Sequence, residues 1–305
     1  MQNSEPKAGR AFRHRYDGPG FRRLFLGGLR VLPQSVQRIS MPMWASIFYT
    51  LVPSARRVVE KNLEQVRPAD SSLEARQRSF QLFVNYAQAI SNMYVLHIGQ
   101  KVPVEVDREG IHHLHKLRDE KRGAILVTAH MGFWQIAPFL MEKMDYPPMT
   151  MAMAEEPNRE LAEFEEHLRA RFRIVYTTSS PFSTLELAQI VKRGELVGMQ
   201  MDRNLGGPHL RLPFFGKDAA FPLGPALLAR ATGCPLLPVF ILAHEGRKRC
   251  TFHIEPPIEV GHSADRDKDL REALTKNVAV YQRYVSRYPE QWFNFYDYWN
   301  PPGQS

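Results

Sequence analysis

The sequence predicts an α/β fold: a mixed, largely parallel sheet flanked by helices, entered through a helical N-terminal lead-in. Two observations carry that prediction. From residue 102 onward, short apolar runs alternate with stretches of helical periodicity, which is the pattern of strands joined by crossover helices. Before it, residues 21–98 repeat their apolar side chains at helical spacing. No internal repeat or low-complexity tract interrupts either region.

In chain order, residues 1–20 are polar and basic with no apolar run, so they read as a flexible tail and not as a secretory signal. The lead-in, 21–100, contains one helix that ends at Pro68 and a second that starts at the capping-box pattern Ser71-Ser72-Leu73-Glu74. Phe80, Phe83, Val84, Tyr86, Ala87 and Ile90 then recur at helical spacing as a core stripe. The α/β region is expected over 101–305. Val102, Val104 and Val106 alternate as a strand, and 112–121 reads as a helix. Strands 124–129, 149–153, 173–177 and 195–201 then take turns with helices 133–143, 158–172 and 182–193. Asn158 is placed as an N-cap and Gly194 as a stop. Residues 202–223 read as a long loop. Helix 224–232 leads to strand 235–242, and a hairpin through His244-Glu245-Gly246-Arg247 returns as strand 249–255 at one edge of the sheet. The last helix, 264–288, carries Asp265, Asp267 and Asp269 near its positive end.

Composition narrows the class. A chain of 305 residues, 44% hydrophobic, can bury a large core. The net charge of +8 and pI near 9.5 imply an anionic partner: nucleic acid, anionic lipid or a phosphorylated cosubstrate. Outside the N-terminal segment the basic residues are scattered, which argues against nucleic acid. Cys234 and Cys250 are too few for a disulfide scaffold and lack zinc-ligand spacing, and the histidines show no metal-ligand spacing, so no metal is assigned. No stretch reaches the roughly 18 apolar residues of a spanning helix. The nearest, Met41 to Pro53, lies between Arg22, Arg23, Arg30 and Arg38 on one side and Arg56, Arg57 and Lys61 on the other. It reads as an interfacial anchor on an anionic membrane surface, or equally as a buried helix with a solvated basic face.

The stretch with most chemistry is AILVTAHMGFWQ, Ala124 to Gln135. A buried strand runs into His130, the chain bends at Gly132, and Phe133-Trp134-Gln135 opens a helix. Ligands bind at the carboxyl ends of strands in open α/β sheets, and imidazole titrates near neutrality, so His130 is a candidate general base. A satisfied histidine at a strand end is the competing reading. The turn at Met131-Gly132 brings Gln135 back as a candidate to orient the ring. Asp202 also follows a strand, 195–201, and so sits on the same sheet edge as His130. Arg203 and Arg211, and the turn Phe214-Phe215-Gly216, belong to the long loop after it, a position that often carries function. No P-loop, dinucleotide glycine fingerprint or GxSxG elbow occurs.

Three segments in order resemble one family. AHMGFWQ resembles the His-x4-acid block of the glycerolipid acyltransferases. The run QMDRNLGGPHLRLPFFGKDAAFPLGPALLARATGCPLLPVF is similar to the second half of the bacterial lipid A (late, or Kdo-dependent) acyltransferases, and YPEQWFNFYDYW to their ending. The resemblance spans roughly residues 20–300. It implies a glycerolipid acyltransferase-like fold and transfer of a fatty acyl group from an acyl-carrier-protein or CoA thioester to a hydroxyl or amine of a membrane lipid acceptor. No resident cofactor is implied, the thioester being a cosubstrate. His130 would be the base. Gln135 departs from the pattern, which has Glu or Asp there; Asp202 is the candidate substitute, and a chain that binds acyl groups without turning them over is the alternative. Gly132, Phe133 and Trp134 are expected at the substrate, with the N–H groups of Gly132 and Phe133 facing the oxyanion. Arg203 and Arg211 are expected to contact phosphate, with Phe214, Phe215 and Gly216 beside them. The expected location is the cytoplasmic face of a bacterial inner membrane, with peripheral or monotopic attachment.

Overall fold

The computed structural model describes residues 27, 31, 34–97, 102, 104–142, 149–154, 171–177, 182–204, 207–244 and 248–301. The tail at 1–20, Arg22, Arg23 and Arg30, Asn158 with nearly all of its expected helix, and the tip of the hairpin at 245–247 lie outside the described residues.

Among the described residues the lead-in contains the helices α1 (Gln34–Leu51), α2 (Pro53–Val66) and α3 (Ser72–His97). Proline at the first position of α2 has no N–H to leave unpaired. Arg67, next to Pro68, is extended (φ −154°) and ends that helix. Ser71 accepts the Glu74 N–H at 3.2 Å, and the Glu74 carboxylate reaches back to the Asp70 N–H at 2.9 Å, a capping box displaced by one residue. The buried-helix reading of Met41 to Pro53 holds for one face of α1. Met41, Ala45 and Val52 face the core, while Ile39, Met43, Ile47 and Leu51 face solvent.

The remaining elements are β1 (Glu105–Glu109), α4 (Ile111–Asp119), β2 (Ala124–Thr128), a 3-10 turn (Trp134–Ile136) running into α5 (Ala137–Glu142), β3 (Met149–Met153), β4 (Ile174–Tyr176), α6 (Ser183–Lys192), β5 (Leu196–Gln200), β6 (His209–Phe214), β7 (Lys217–Pro222), α7 (Gly224–Thr232), β8 (Leu236–Ala243), β9 (Arg249–Ile254), α8 (Arg266–Arg287) and a closing 3-10 turn (Pro289–Gln291). Seven strands make one sheet in the order β1-β9-β8-β2-β5-β3-β4, every pair parallel except β8 with β9. The fold class is therefore the one expected. Asp265 caps α8 by accepting the Lys268 N–H at 3.0 Å.

Successive strand residues point to opposite faces, and the central strands are apolar on both. Ile125 and Val127 of β2, with Leu236, Phe240 and Leu242 of β8, join a core beneath α6, α7 and α8. Ala124 and Leu126, with Leu237, Val239 and Ile241, join a second core with Ala55, Val59, Leu82 and Phe83 of the lead-in. The lead-in thus supplies one of the two layers that keep the sheet dry.

Two expectations are corrected. Most of the 202–223 loop is the antiparallel hairpin β6–β7, outside the main sheet. Leu212, Phe214, Ala219 and Phe221 alternate inward with exposed Arg211, Pro213, Lys217 and Asp218, a period of two that proline and charge obscure in the sequence. Phe215 and Gly216 form its tight turn with φ of +52° and +78°, the two positive values of a type I′ turn. The β8–β9 pair does not end the sheet either. β1 adds parallel to β9 and takes the edge, and its charged Glu105, Arg108 and Glu109 discourage further strand pairing.

Candidate active site

β2 and β5 lie side by side in parallel, with Thr128 opposite Gln200. His130 and Asp202 each come two residues later, so the register alone brings them together. The Met201 N–H donates to the Thr128 carbonyl at 3.0 Å and carries the ladder one step past the strands. Asp202 then accepts from the His130 backbone N–H through Oδ2 (2.9 Å) and sits 2.7 Å from the imidazole Nδ1 through Oδ1. The carboxylate side chain is 2% exposed, while the imidazole keeps 17% and lies edge-on to Trp134, with 5.6 Å between ring centroids.

The bend after His130 is held from outside. Gly132 has φ +58°, and a Cβ there would fall 2.1 Å from the Ile241 carbonyl, so only glycine fits. Its N–H donates to the Gln291 carbonyl (2.8 Å), the Phe133 N–H donates to Ile241 (2.7 Å), and the Phe293 N–H donates to the His130 carbonyl (2.8 Å). Met131 and Trp292 form an antiparallel bridge within this pairing. The C-terminal segment therefore runs as a short extra strand along the bend. Trp292 and Phe293, at 2% and 1% exposure, anchor it, each worth roughly 1.5–3 kcal/mol of burial. Gln291 clamps Ala243 through both amide atoms (2.9 and 2.8 Å), and Asn62 of α2 donates to the carbonyls of Asn294 and Tyr296.

The same segment supports Asp202. Tyr298 donates its hydroxyl to the Asp202 carbonyl at 2.7 Å, and Tyr281 of α8 donates to the Thr128 carbonyl at 2.8 Å. Burial raises both phenols well above their ordinary range, so they stay neutral donors. Arg203 donates to Asn294 Oδ1 at 2.9 Å and to the Phe293 carbonyl, with its guanidinium 5.8 Å from the Tyr296 ring centroid.

Burial lowers the His130 pKa below its ordinary value, and the Arg203 charge lowers it further; Asp202 opposes both without overcoming them. Burial pushes the Asp202 carboxyl up, but the His130 charge and hydrogen bonds, with Arg203, outweigh it and hold the carboxyl at about 2. At neutral pH the pair is a carboxylate beside a neutral imidazole. Nδ1–H donates to Asp202, which leaves the Nε2 lone pair to accept a proton.

Other expected site residues lie differently. Gln135 makes no hydrogen bond to the ring: both of its amide atoms are buried without a hydrogen-bond partner, and Asp202 occupies the Nδ1 position expected for it. The N–H groups of Gly132 and Phe133 are consumed by carbonyls and are not free for an oxyanion. Phe214 is 1% exposed, packed among Phe221, Trp292, Tyr298 and Trp299, with no face left for substrate. Arg211 is exposed and spans its own hairpin to the Asp218 carbonyl (2.9 Å), and the Phe215 carbonyl accepts from Gln65 of α2 (2.7 Å). Trp134 and Arg203 are the expected residues that the fold brings beside the His130–Asp202 pair. Asn62, Tyr281, Gln291, Asn294 and Tyr298 carry no local signature of a site; the PEQW run was the one available signal for the C-terminal ones. Among the described residues no group of three His, Cys, Asp or Glu side chains is placed to hold a metal ion.

A sequence profile described as bacterial lipid A biosynthesis acyltransferase matches residues 20–300. The chain belongs to this family. It is an acyltransferase of a lipid-modifying group, and the histidine-aspartate pair lies inside the matched region. Among curated proteins, it is 24% identical over 241 residues to a phosphatidylinositol mannoside acyltransferase of Mycolicibacterium smegmatis, covering 77% of this chain and 78% of that one. A protein of the same description from Mycobacterium tuberculosis is 25% identical over 199 residues, 63% of this chain and 62% of that one. Among solved structures, the 1-acyl-sn-glycerophosphate acyltransferase PlsC of Thermotoga maritima aligns at 17% identity with a TM-score of 0.40, over 86% of this chain and all of that one.

Proposed function

We propose that this family member moves a fatty acyl group from an acyl-carrier-protein or CoA thioester to a hydroxyl of a lipid acceptor at a membrane surface, with His130 as general base and Asp202 as the residue that orients it. The observation that carries this reading is the 2.7 Å contact between His130 Nδ1 and Asp202 Oδ1 at the ends of neighbouring parallel strands. His130 Nε2 takes the proton as the acceptor oxygen attacks the thioester carbonyl. The tetrahedral oxyanion collapses and expels the thiolate, and the imidazolium returns the proton to sulfur. Asp202 stabilises the imidazolium in between, the task that a neutral Gln135 cannot perform.

A lipid acceptor is supported by the family and by relatives named for phosphatidylinositol mannoside acylation. A phosphopantetheine donor is supported by the net charge of +8, since both carrier protein and CoA are anionic. Peripheral attachment is supported by the exposed apolar side of α1; among the described residues no helix is long and apolar enough to cross a membrane. The test is thiol release from acyl-CoA or acyl carrier protein, with and without a lysolipid acceptor in vesicles. Acceptor-dependent release that disappears in a folded His130→Ala protein supports the mechanism. Transfer that survives the substitution removes His130 from it.

A further inference from the structure

The lead-in carries a concave basic surface that the chemistry above does not use. A cavity of about 580 Å³ opens between the end of α1, the start of α2 and the start of α3, lined by Tyr49, Arg56, Arg57, Glu60, Arg76 and Phe80. Its carboxylate is engaged: Glu60 accepts from the Tyr49 hydroxyl (3.3 Å) and from Ser79 (3.4 Å). Among the described residues the ion pairs of the lead-in engage Lys61 and Arg78 and leave the three cavity arginines without one. Arg56 lies over the Tyr49 ring at 5.3 Å, and Arg57 makes a long 3.4 Å contact to the Pro53 carbonyl. Free guanidinium groups on two helices around one hollow are a receptor for the carboxylates or phosphates of a partner.

Two observations decide which anion fits. The first is the side on which the cavity opens. Val36, Ile39, Met43, Ile47 and Leu51 carry the exposed apolar face of α1. Tyr49 is two residues from both Ile47 and Leu51, and at about 100° per residue that sets it on the opposite side of the helix. The cavity therefore faces water when the apolar face meets a membrane, and a soluble partner reaches it. The second is the lining. The Tyr49 ring has Arg56 over it and Phe80 and Phe83 edge-on at 5.5 and 5.2 Å, which leaves little of it to stack a nucleotide base. Cations spread along two helices around an aromatic floor suit an amphipathic helix that bears carboxylates.

The aromatic rings also place the cavity relative to the chemistry. Tyr49 packs on Phe83, Phe83 on Phe295, Phe295 on Tyr86, Tyr86 on Phe293, Phe293 on Trp134 and Trp134 on His130, with 4.8–5.7 Å between centroids in each pair. The cavity and the imidazole are the two ends of one continuous aromatic layer.

We propose that the Arg56–Arg57–Arg76 cavity docks the acidic helical body of an acyl carrier protein, so that the carrier and not free CoA is the donor this surface selects. The guanidinium groups pair with carboxylates of the carrier, and an apolar side chain of its helix meets Tyr49 and Phe80. This rests on the thioester-donor reading above and names which of the two donors the chain is built to receive.

The experiment follows two quantities with the full chain: binding of a purified holo-acyl carrier protein, and thiol release from the dodecanoyl thioesters of carrier protein and of CoA with a lysolipid acceptor present. Replacing Arg56, Arg57 and Arg76 together by glutamate is expected to weaken carrier binding, and to raise KM for the carrier thioester, by at least about tenfold. Turnover of dodecanoyl-CoA is expected to stay within about threefold, because CoA makes no use of the surface. The lysine triple variant, which keeps the charge, retains most of the carrier binding and controls for folding. Reversing Lys268, Arg271 and Lys276, exposed cations of α8, leaves binding within about threefold. An equal loss with both donors, an equal loss in the α8 control, or no carrier binding by the unmodified chain overturns the docking surface. Displacement of the carrier by millimolar free CoA also overturns it, by assigning the cavity to a small phosphate. A matching loss of binding to phosphatidylglycerol vesicles does the same, by assigning it to the membrane. If neither thioester is turned over while carrier binding and its loss in the glutamate variant persist, the catalytic reading fails and the docking surface stands. If dodecanoyl-CoA is turned over while the carrier does not bind, the reverse holds.

Discussion

Asp202 grips His130 by both of its oxygens, one on the imidazole Nδ1 and one on the backbone N–H of the same residue. The first contact sets the tautomer and the ring angle. The second fixes the histidine's main chain against the end of β5. A residue held at two points has little freedom to turn its ring away, and that is the preorganisation an acid–base group needs.

Replacing Asp202 tests both contacts. Asp202→Asn is expected to lower kcat by roughly 10²–10⁴, since a carboxamide has one acceptor oxygen for the two His130 N–H groups, sets its NH2 against the other, and gives no counter-charge to imidazolium. KM is expected to move less than threefold. Steady-state kinetics with circular dichroism on the same samples check this; a kcat within fivefold of the unmodified enzyme would show that the pair is structural.

The acid limb of kcat/KM is expected below pH 6.5. Burial and Arg203 hold the His130 pKa beneath its ordinary value, so the free base persists into mildly acidic solution. Arg203→Gln removes the charge that opposes protonation, and the limb is expected to move upward. Stability follows with a definite sign. With the folded-state pKa lowered, the unfolded chain binds the proton more readily as pH falls through 6.5, so stability drops on that side. Asp202 adds a second loss between 3.8 and about 2, because its folded-state pKa is depressed. Thermal melts from pH 8 to pH 2 are expected to show both declines, and His130→Ala is expected to reduce the first without abolishing it, since burial also lowers His113 and His253.

Gln135 stands where the resemblance led us to expect an acid. Both of its amide atoms are buried and unpaired, so Gln135→Met is expected to be neutral or to stabilise by about 1 kcal/mol. Gln135→Glu places a carboxylate in the same partnerless position, and is expected to cost roughly 1–3 kcal/mol without raising turnover. Denaturant titrations and initial rates on the two variants decide it. A faster Gln135→Glu enzyme would mean that position 135 reaches the reacting groups after all.

Gly132→Ala is expected to destabilise by roughly 2–4 kcal/mol, combining a positive φ with a Cβ 2.1 Å from the Ile241 carbonyl. The bend would open and carry His130 away from Asp202, so activity should fall further than the loss of folded protein explains. Chemical denaturation beside active-site titration separates the two effects.

The sequence by itself determined the architecture and the sheet edge that carries His130 and Asp202. Strand and helix periodicities are local properties, and the apolar run at 124–128 and the one at 196–200 each point at the residue two places beyond. Hairpin β6–β7 escaped because Pro213 and the surrounding charges hide an alternation that only burial reveals. The partner of His130 was decided by tertiary structure. Gln135 is five residues away in sequence and Asp202 seventy-two, yet the parallel register of β2 with β5 joins the distant one. The support from Gln291, Phe293 and Tyr298 was legible only as a family-like ending, since the main-chain groups they meet carry no residue signature. Their pairing exists only once the C-terminal segment has folded back across the bend at Gly132.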